Sequence, residues 1–485
     1  MEGSDHEVEY TDDSRELLRQ SSNGANRVFG TIENKQEDSV RTSRERWYIL
    51  LVFSLSAIMQ GNVWNTWAPI AKTADIVFEF KSWDIALLSN WPCIMAVIAT
   101  VPFSWLLEVK GLRISMLLAN FLIMAGTGIR CISSDPKIAT CLIHVCGVLN
   151  GLAGPAVMIG PTVLSSTWFP PDERTTATAI SSVVLYVGLG LGFLLGPLIV
   201  GLDKRSSERI DGLVNISSGS QKEVFASIYE DQKYGIMNLM YVTFSLSCVI
   251  FMMTLFHFPS KPSHPPSVSA SKERESFTQG VKDILTNYNM WLVVLPFAFT
   301  NAVNLAWGNV LELTLEPFAI SQIEAGWLGF GAIQAGCVFG IIAGLVSDRF
   351  LGHMKIMIIT VYGAASIFFT HYALMASSVV EPSVVLLFIS VIMGTALQNG
   401  CIPLFLDMTC ETVYPVAESV ATGLLVLLVN FLASIILFLL WIPSIGVHWL
   451  TWSIPVSLIL AICIMIFYKD SYNRLQLDVS SNKLQ

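Results

Sequence analysis

Long uncharged apolar runs, roughly a dozen between Trp47 and Tyr468, constrain this chain more than any other feature. Each is about as long as a bilayer-crossing helix, roughly 20 residues. A soluble helix is apolar on one face only. Runs apolar on every side imply lipid around them, and a task of moving or sensing something across a membrane. The charged fraction, 13%, supports this, being about half the roughly 25% of soluble proteins.

The charges are concentrated at the ends. Of the first 46 residues, 18 are Asp, Glu, Lys or Arg, so residues 1–46 are expected to form a disordered acidic tail with too little apolar surface to offset ordering entropy. That stretch lacks the apolar core of a cleavable signal, and the first span is expected to direct insertion. No basic stripe suggests nucleic acid. The nine cysteines form no CxxC and no His/Cys cluster, so no metal and no cofactor is expected. Cys131 and Cys141 bracket one short loop. They pair only if that face is oxidising, and otherwise serve as small apolar residues.

The reading is an all-α multi-pass membrane protein of twelve transmembrane helices in two six-helix halves. The spans fall at about 47–71, 84–107, 112–131, 138–166, 175–201, 235–258, 288–313, 325–347, 354–378, 383–408, 418–441 and 447–468. Helices satisfy their own backbone in lipid, and the alternating segments of a barrel are absent. Lys and Arg are denser in the short loops on the side of the termini, which puts both termini in the cytosol. The halves are 47–258, with a non-cytosolic loop at 202–234, and 288–468. A Ser- and Pro-rich linker, 259–287, joins them, and 469–485 is a cytosolic tail. Asn215-Ile216-Ser217 in the long loop is an N-glycosylation acceptor.

The halves repeat their signals. The second span ends Leu106-Leu107-Glu108-Val109-Lys110-Gly111-Leu112-Arg113, and the eighth ends Gly344-Leu345-Val346-Ser347-Asp348-Arg349. Both put an acid and bases at a tight turn. A parallel repeat of six spans is a transporter architecture, with the site between halves near midplane. Gly344, Asp348 and Arg349, with the degenerate partners Glu108, Gly111 and Arg113, resemble the loop motif of the major facilitator superfamily. There the acid can meet a neighbouring helix N-terminus and lock one conformation. Gly192, Gly196, Pro197 and Gly201 in span five resemble that superfamily's Gly-Pro motif, and close helix packing alone also explains them.

A second resemblance spans nearly the whole chain. Trp64-Asn65-Thr66-Trp67, Ser82-Trp83-Asp84-Ile85-Ala86-Leu87-Leu88, Asn150-Gly151-Leu152-Ala153-Gly154-Pro155, Ala325-Gly326-Trp327 and Glu411-Thr412-Val413-Tyr414-Pro415 look like solute carrier family 49. They look most like its branch named disrupted in renal carcinoma. The resemblance implies the lysosomal membrane, with the plasma membrane as alternative, and proton-driven export of pyridoxine. A sister branch, the feline leukemia virus subgroup C receptor-related proteins, is associated with choline, ethanolamine and haem. Its choline cage has a Trp matching Trp64. Its Gln in span five falls at Tyr186 and its Tyr in span seven near Asn304, so two cage positions are not kept.

Polar or aromatic residues deep in spans are candidates for the substrate site: Trp64, Asn65, Tyr186, Asn301, Asn304, Trp307 and Gln398. A Trp face suits a flat ring or a cation. Asn301, Asn304 and Trp307, spaced i, i+3 and i+6, are read as sharing one face. Asn90, Asn150, Gln334, Asn399 and Asn430 are further buried amides, equally suited to joining helices. Intramembrane carboxylates default to function. Glu312 is placed to take a proton from an acidic lumen, and Asp407 and Glu411 are coupling or gating candidates. His144 and His371 are read as hydrogen-bonded helix partners, and Asp84 as a helix N-terminal charge. In the tail, Asp13 with Leu17 and Leu18 matches an acidic dileucine sorting pattern, which implies a clathrin adaptor.

Neither HExxH nor GxSxG occurs, so no enzyme is expected. No P-loop occurs, so gradients must drive transport. The expected partners are a small-molecule substrate, protons and the lipid bilayer, in a monomer. A solute sensor on the same fold is the third reading.

Overall fold

The computed structural model describes residues 42–477 apart from 81, 201–217, 272–274, 316, 317, 319, 321, 351, 382, 441, 443–445 and 447. Asp13, Leu17, Leu18 and Asn215 lie outside the described residues, as does the Glu312 side chain.

Twelve helices among the described residues are long and apolar enough to cross a membrane. In the first half they are α1 (Glu45–Trp64), α2 (Ser82–Val109), α3 (Leu112–Ile129), α4 (Pro136–Trp168), α5 (Arg174–Val200) and α6 (Ser218–Phe256). In the second half they are α7 (Tyr288–Asn309), α8 (Gln322–Arg349), α9 (Met354–Ala376), α10 (Val384–Gly400 and Ile402–Val413), α11 (Glu418–Leu439) and α12 (His448–Ile466). Large apolar side chains such as Ile98, Val101, Phe256 and Ile367 point outward, the arrangement a lipid solvent requires.

Three departures from the sequence reading have local causes. Residues 218–234, expected in a loop, are the first turns of α6. They are polar but rich in helix formers such as Gln221, Lys222, Glu223 and Ala226, and a hydropathy pattern does not register a helix that leaves the bilayer. The first span stops at Trp64, where Asn65 ends the helix and Ala68–Ile70 form a 3-10 turn. Pro69, with no N–H to donate, cannot continue the ladder. The tenth span breaks at Cys401, because Pro403 is tolerated only in the first turn of a new helix.

Each half has its own core. Phe53, Met116, Ile159 and Trp168 fill the first, while Phe297, Tyr362, Phe369, Phe405 and Leu458 fill the second. The start of α1 and the segment after α12 lie at one face, called here the termini face. Trp47 at the start of α1 lies edge-on to Phe169 just after α4, and Lys355 Nζ, at the start of α9, donates to the Tyr468 carbonyl just after α12. The linker carries a helix, Phe277–Thr286, whose buried side holds Gly280 and Ile284. Cys131 and Cys141 are both free.

Candidate functional site

The spans hold two layers: a belt of polar and aromatic residues where the halves meet and a charged layer at the termini face.

In the belt, Trp64 ends α1. Its indole N–H donates to the Ser89 carbonyl of α2 at 3.3 Å. Its ring packs on a cluster of Cys93 from α2, Ala302 and Ala306 from α7, and Ala433 and Leu437 from α11. Trp64 therefore sits where the two halves meet. Asn65 Nδ2 donates to the Leu189 carbonyl at 2.8 Å, tying the end of α1 to α5. Tyr186, also on α5, reaches across to the second half's core. On the other side, Asn304 Nδ2 donates to Asn399 Oδ1 at 3.2 Å, joining α7 to α10. Gln398 Nε2 donates to the Thr300 carbonyl at 2.9 Å.

Several belt amides keep unspent capacity. Gln334 Nε2, Gln398 Oε1 and both polar atoms of Asn90 are buried without a hydrogen-bond partner. A buried polar atom left so costs about 1–3 kcal/mol, so a polar guest is favoured here over an apolar one. Other amides serve the fold. Asn150 Nδ2 donates to the Gln60 carbonyl at 3.2 Å, and Asn430 Nδ2 donates to its own helix at Val426.

The expected common face of Asn301, Asn304 and Trp307 does not exist. At about 100° per residue, positions i and i+6 lie roughly 120° apart. Asn301 turns back to the Phe297 carbonyl. Trp307 is 2% exposed and stands edge-on to Phe369 and Tyr372, inside the second half's core. Only Asn304 of the three bonds to α10.

The termini face is held by charge. Asp348, at the end of α8, accepts from the backbone N–H groups of Thr175 (3.0 Å) and Thr176 (2.7 Å) and from the Thr176 hydroxyl (2.6 Å). The first amides of a helix lack intrahelical partners and carry the positive end of the macrodipole. A carboxylate from the opposite half supplies both needs at the start of α5. At the degenerate copy, Glu108 accepts the Ser419 hydroxyl at 3.0 Å, from α2 to α11. Gly111 has φ +82°, which a side chain would strain. Arg113 donates to the Leu255 carbonyl, and Arg349 is exposed.

Asp407 and Glu411 share a partner that sequence reasoning missed. Arg474, in the segment after α12, donates to Asp407 at 2.6 Å and to Glu411 at 2.8 Å, with Glu418 at 3.6 Å. The other Asp407 oxygen accepts the Thr175 hydroxyl at 2.8 Å. Burial alone would lower the Arg474 pKa, but Glu411, Asp407 and Glu418 hold it well above the ordinary value. One of three bases in a short tail leaves no periodic trace, and nothing in the sequence marks Arg474 out from Lys469 and Lys483.

The histidines are both paired. His371 Nδ1 contacts the Ser390 hydroxyl at 2.8 Å. His144 takes the Trp91 N–H on Nδ1 at 3.0 Å and meets Asp84 through Nε2 at 3.2 Å. Glu312 belongs to the short helix Leu311–Leu315 after α7.

The Major Facilitator Superfamily model matches residues 49–438. The Solute carrier family 49 member 4 homolog of Xenopus tropicalis is 36% identical over 449 residues, covering 90% of this chain and 94% of its own. The Choline/ethanolamine transporter flvcr2a of Danio rerio is 24% identical over 404 residues, covering 82% and 80%. A crystal structure of the transporter FucP in the outward conformation has the same fold, with a TM-score of 0.60 at 10% identity, over 88% of this chain and 100% of that one. By the extent of the first match and the identity of the Xenopus relative, this chain belongs to the major facilitator superfamily and, within it, to solute carrier family 49, as a multi-pass membrane transporter.

Proposed function

We propose that this transporter moves pyridoxine out of the lysosome into the cytosol, driven by protons, by alternating exposure of the belt between its halves. The observation that carries this reading is the placement of Trp64. Its indole lies where α2, α7 and α11 converge, and the buried amides of Gln334 and Gln398 hold unpaired atoms in the same belt of spans. An aromatic face with amides suits a small polar heteroaromatic ring. The proposed binding residues are Trp64, Asn65, Tyr186, Asn304 and Gln398. Asn301 and Trp307 face their own half and are left out. Glu312 is proposed as a proton acceptor on the luminal side, and the termini face is proposed to be cytosolic. Asp13, Leu17 and Leu18 are proposed to direct lysosomal sorting through a clathrin adaptor, and Asn215 to be glycosylated.

One finding favours a second reading, the transport of choline or ethanolamine: the likeness to the choline/ethanolamine transporter of Danio rerio. The test is uptake of labelled pyridoxine into cells that express the Leu17→Ala/Leu18→Ala variant, which should reach the surface. Uptake should rise as external pH falls and be lost when Trp64→Ala is added. Surface protein with flat uptake at every pH sinks the vitamin B6 reading. Uptake of choline that ignores pH establishes the second.

A further inference from the structure

At the termini face three buried carboxylates converge on one guanidinium. Asp407, Glu411 and Glu418 are 4%, 3% and 8% exposed, and the one guanidinium among them, Arg474, is 1% exposed. Removing the partner from a buried charge is strongly unfavourable. Without Arg474 this cluster would hold three carboxylates and draw in water. Arg474 is the cation that all three carboxylates face.

Arg474 reaches the site from a segment that follows the last span. Residues 473–477 form one helical turn, and Glu411 Oε2 accepts the backbone N–H groups of Arg474 (3.1 Å) and Leu475 (3.0 Å). Glu411 thus grips the segment by its backbone as well as by its guanidinium. The chain leading there is tethered too: the Tyr468 hydroxyl meets Thr412 Oγ1 at 2.9 Å, and Lys469 N–H donates to Asn289 at 2.9 Å.

The cluster also reaches the opposite half. Asp407 holds Arg474 with one oxygen and accepts the Thr175 hydroxyl with the other. The Thr175 amide in turn donates to Asp348. Tail, α10, α5 and α8 are linked in one hydrogen-bonded chain that crosses between the halves twice.

We propose that the segment after α12 is a latch, in which Arg474 neutralises the α10–α11 acidic cluster and so keeps the two halves joined at the termini face. Arg474 is a positioning residue: it touches no substrate and acts by holding Asp407 toward Thr175. Withdrawal of the segment hydrates the cluster, releases the Asp407–Thr175 bond and opens this end. The proposal rests on the alternating-exposure reading of the halves and on no choice of substrate.

Cysteine accessibility tests it. Cys410 lies between Asp407 and Glu411 on α10 and is 3% exposed, while Cys93 and Cys146, at 0% and 2%, are buried in the other half. Purified full-length protein is treated with N-ethylmaleimide without substrate, and each site is read by peptide mass spectrometry. In Arg474→Gln, Cys410 should label about tenfold faster, within the range of typical coupling energies, while Cys93 and Cys146 stay protected. Arg474→Lys keeps the charge but loses the fork and should fall between. Equal protection of Cys410 in wild type and Arg474→Gln overturns the latch. A parallel rise at all three cysteines also overturns it, by making Arg474 a pin for the whole fold. A labelling change in protein that moves no solute keeps the latch and removes the substrate reading.

Discussion

Gly188 and Gly190 lie two residues apart on α5 and face opposite ways. A Cβ on Gly188 would overlap the Ile58 carbonyl oxygen of α1, its backbone neighbour within the same half. A Cβ on Gly190 would overlap the Gln334 amide of α8, across the boundary between halves. The first seam is backbone against backbone, reinforced by Gly192 against Asn65 O at 2.7 Å. The second meets the far end of a flexible side chain. At this level α5 is fixed by backbone to its own half and meets a yielding side chain on the other, while nearer the termini face a Cβ on Gly344 of α8 would lie 3.1 Å from the Thr175 carbonyl oxygen of α5.

The largest expected effect breaks the rigid seam. Gly188→Ala forces two helix backbones apart, and overpacking of this kind costs about 1–3 kcal/mol or more even where side chains can yield. The variant should show a clear fall in melting temperature and a loss of monodisperse protein, read by scanning fluorimetry and size-exclusion chromatography. Wild-type stability in Gly188→Ala would show that the α1–α5 seam is not rigid.

Next comes the hydrogen-bonded contact between halves at Asp348. Asp348→Ala removes a carboxylate that accepts three hydrogen bonds at the start of α5. Water recovers part of the loss at this half-buried site, leaving a net change of about 2 kcal/mol, roughly thirtyfold in the equilibrium between states. Amide exchange at Thr175 and Thr176 should accelerate accordingly, while amides in the middle of α5 stay slow. Unchanged exchange at those two amides would remove Asp348 from the lock.

The adjustable seam is probed by Gly190→Ala. Gln334 should swing aside, so the stability should stay within about 0.5 kcal/mol of wild type, as for a surface-like change. Transport should shift by a few fold, because a belt amide has moved. A loss of stability as large as that of Gly188→Ala would erase the contrast between the seams.

How much of this was legible in the sequence follows from the range of each signal. The twelve helices were legible because lipid demands apolarity on all faces, and Glu108 and Asp348 because the repeat places them at matching turns. The partner of Asp348 was not, since Thr175 and Thr176 lie more than 170 residues away, and only the packed halves bring an acid to a helix start. Trp307 was misplaced because spacing by three residues drifts round a helix at each step. The role of Arg474 was hidden for the opposite reason: a charge in a tail reads as solvated until a fold buries it. His144 and Asp84 had separate readings, as helix partner and helix charge, and their contact at 3.2 Å joins two signals that sequence kept apart.

The smallest expected effect concerns the weaker copy of the lock. Ser419→Ala removes the hydroxyl that Glu108 accepts. One such bond contributes about 0.5–1.5 kcal/mol, and Glu108 can turn toward water at the edge of the span. Transport should fall by about twofold to fivefold, well below the effect of Asp348→Ala. Because the two residues share one bond, Glu108→Ala combined with Ser419→Ala should cost no more than Glu108→Ala alone, a non-additivity that a double-mutant cycle resolves. If the two losses add instead, the Ser419 hydroxyl acts independently of Glu108, and this bond is not what joins α2 to α11. If Ser419→Ala matches Asp348→Ala, the lock is symmetric, and the adjustable seam between α5 and α8 is no more the moving joint than the seam between α2 and α11.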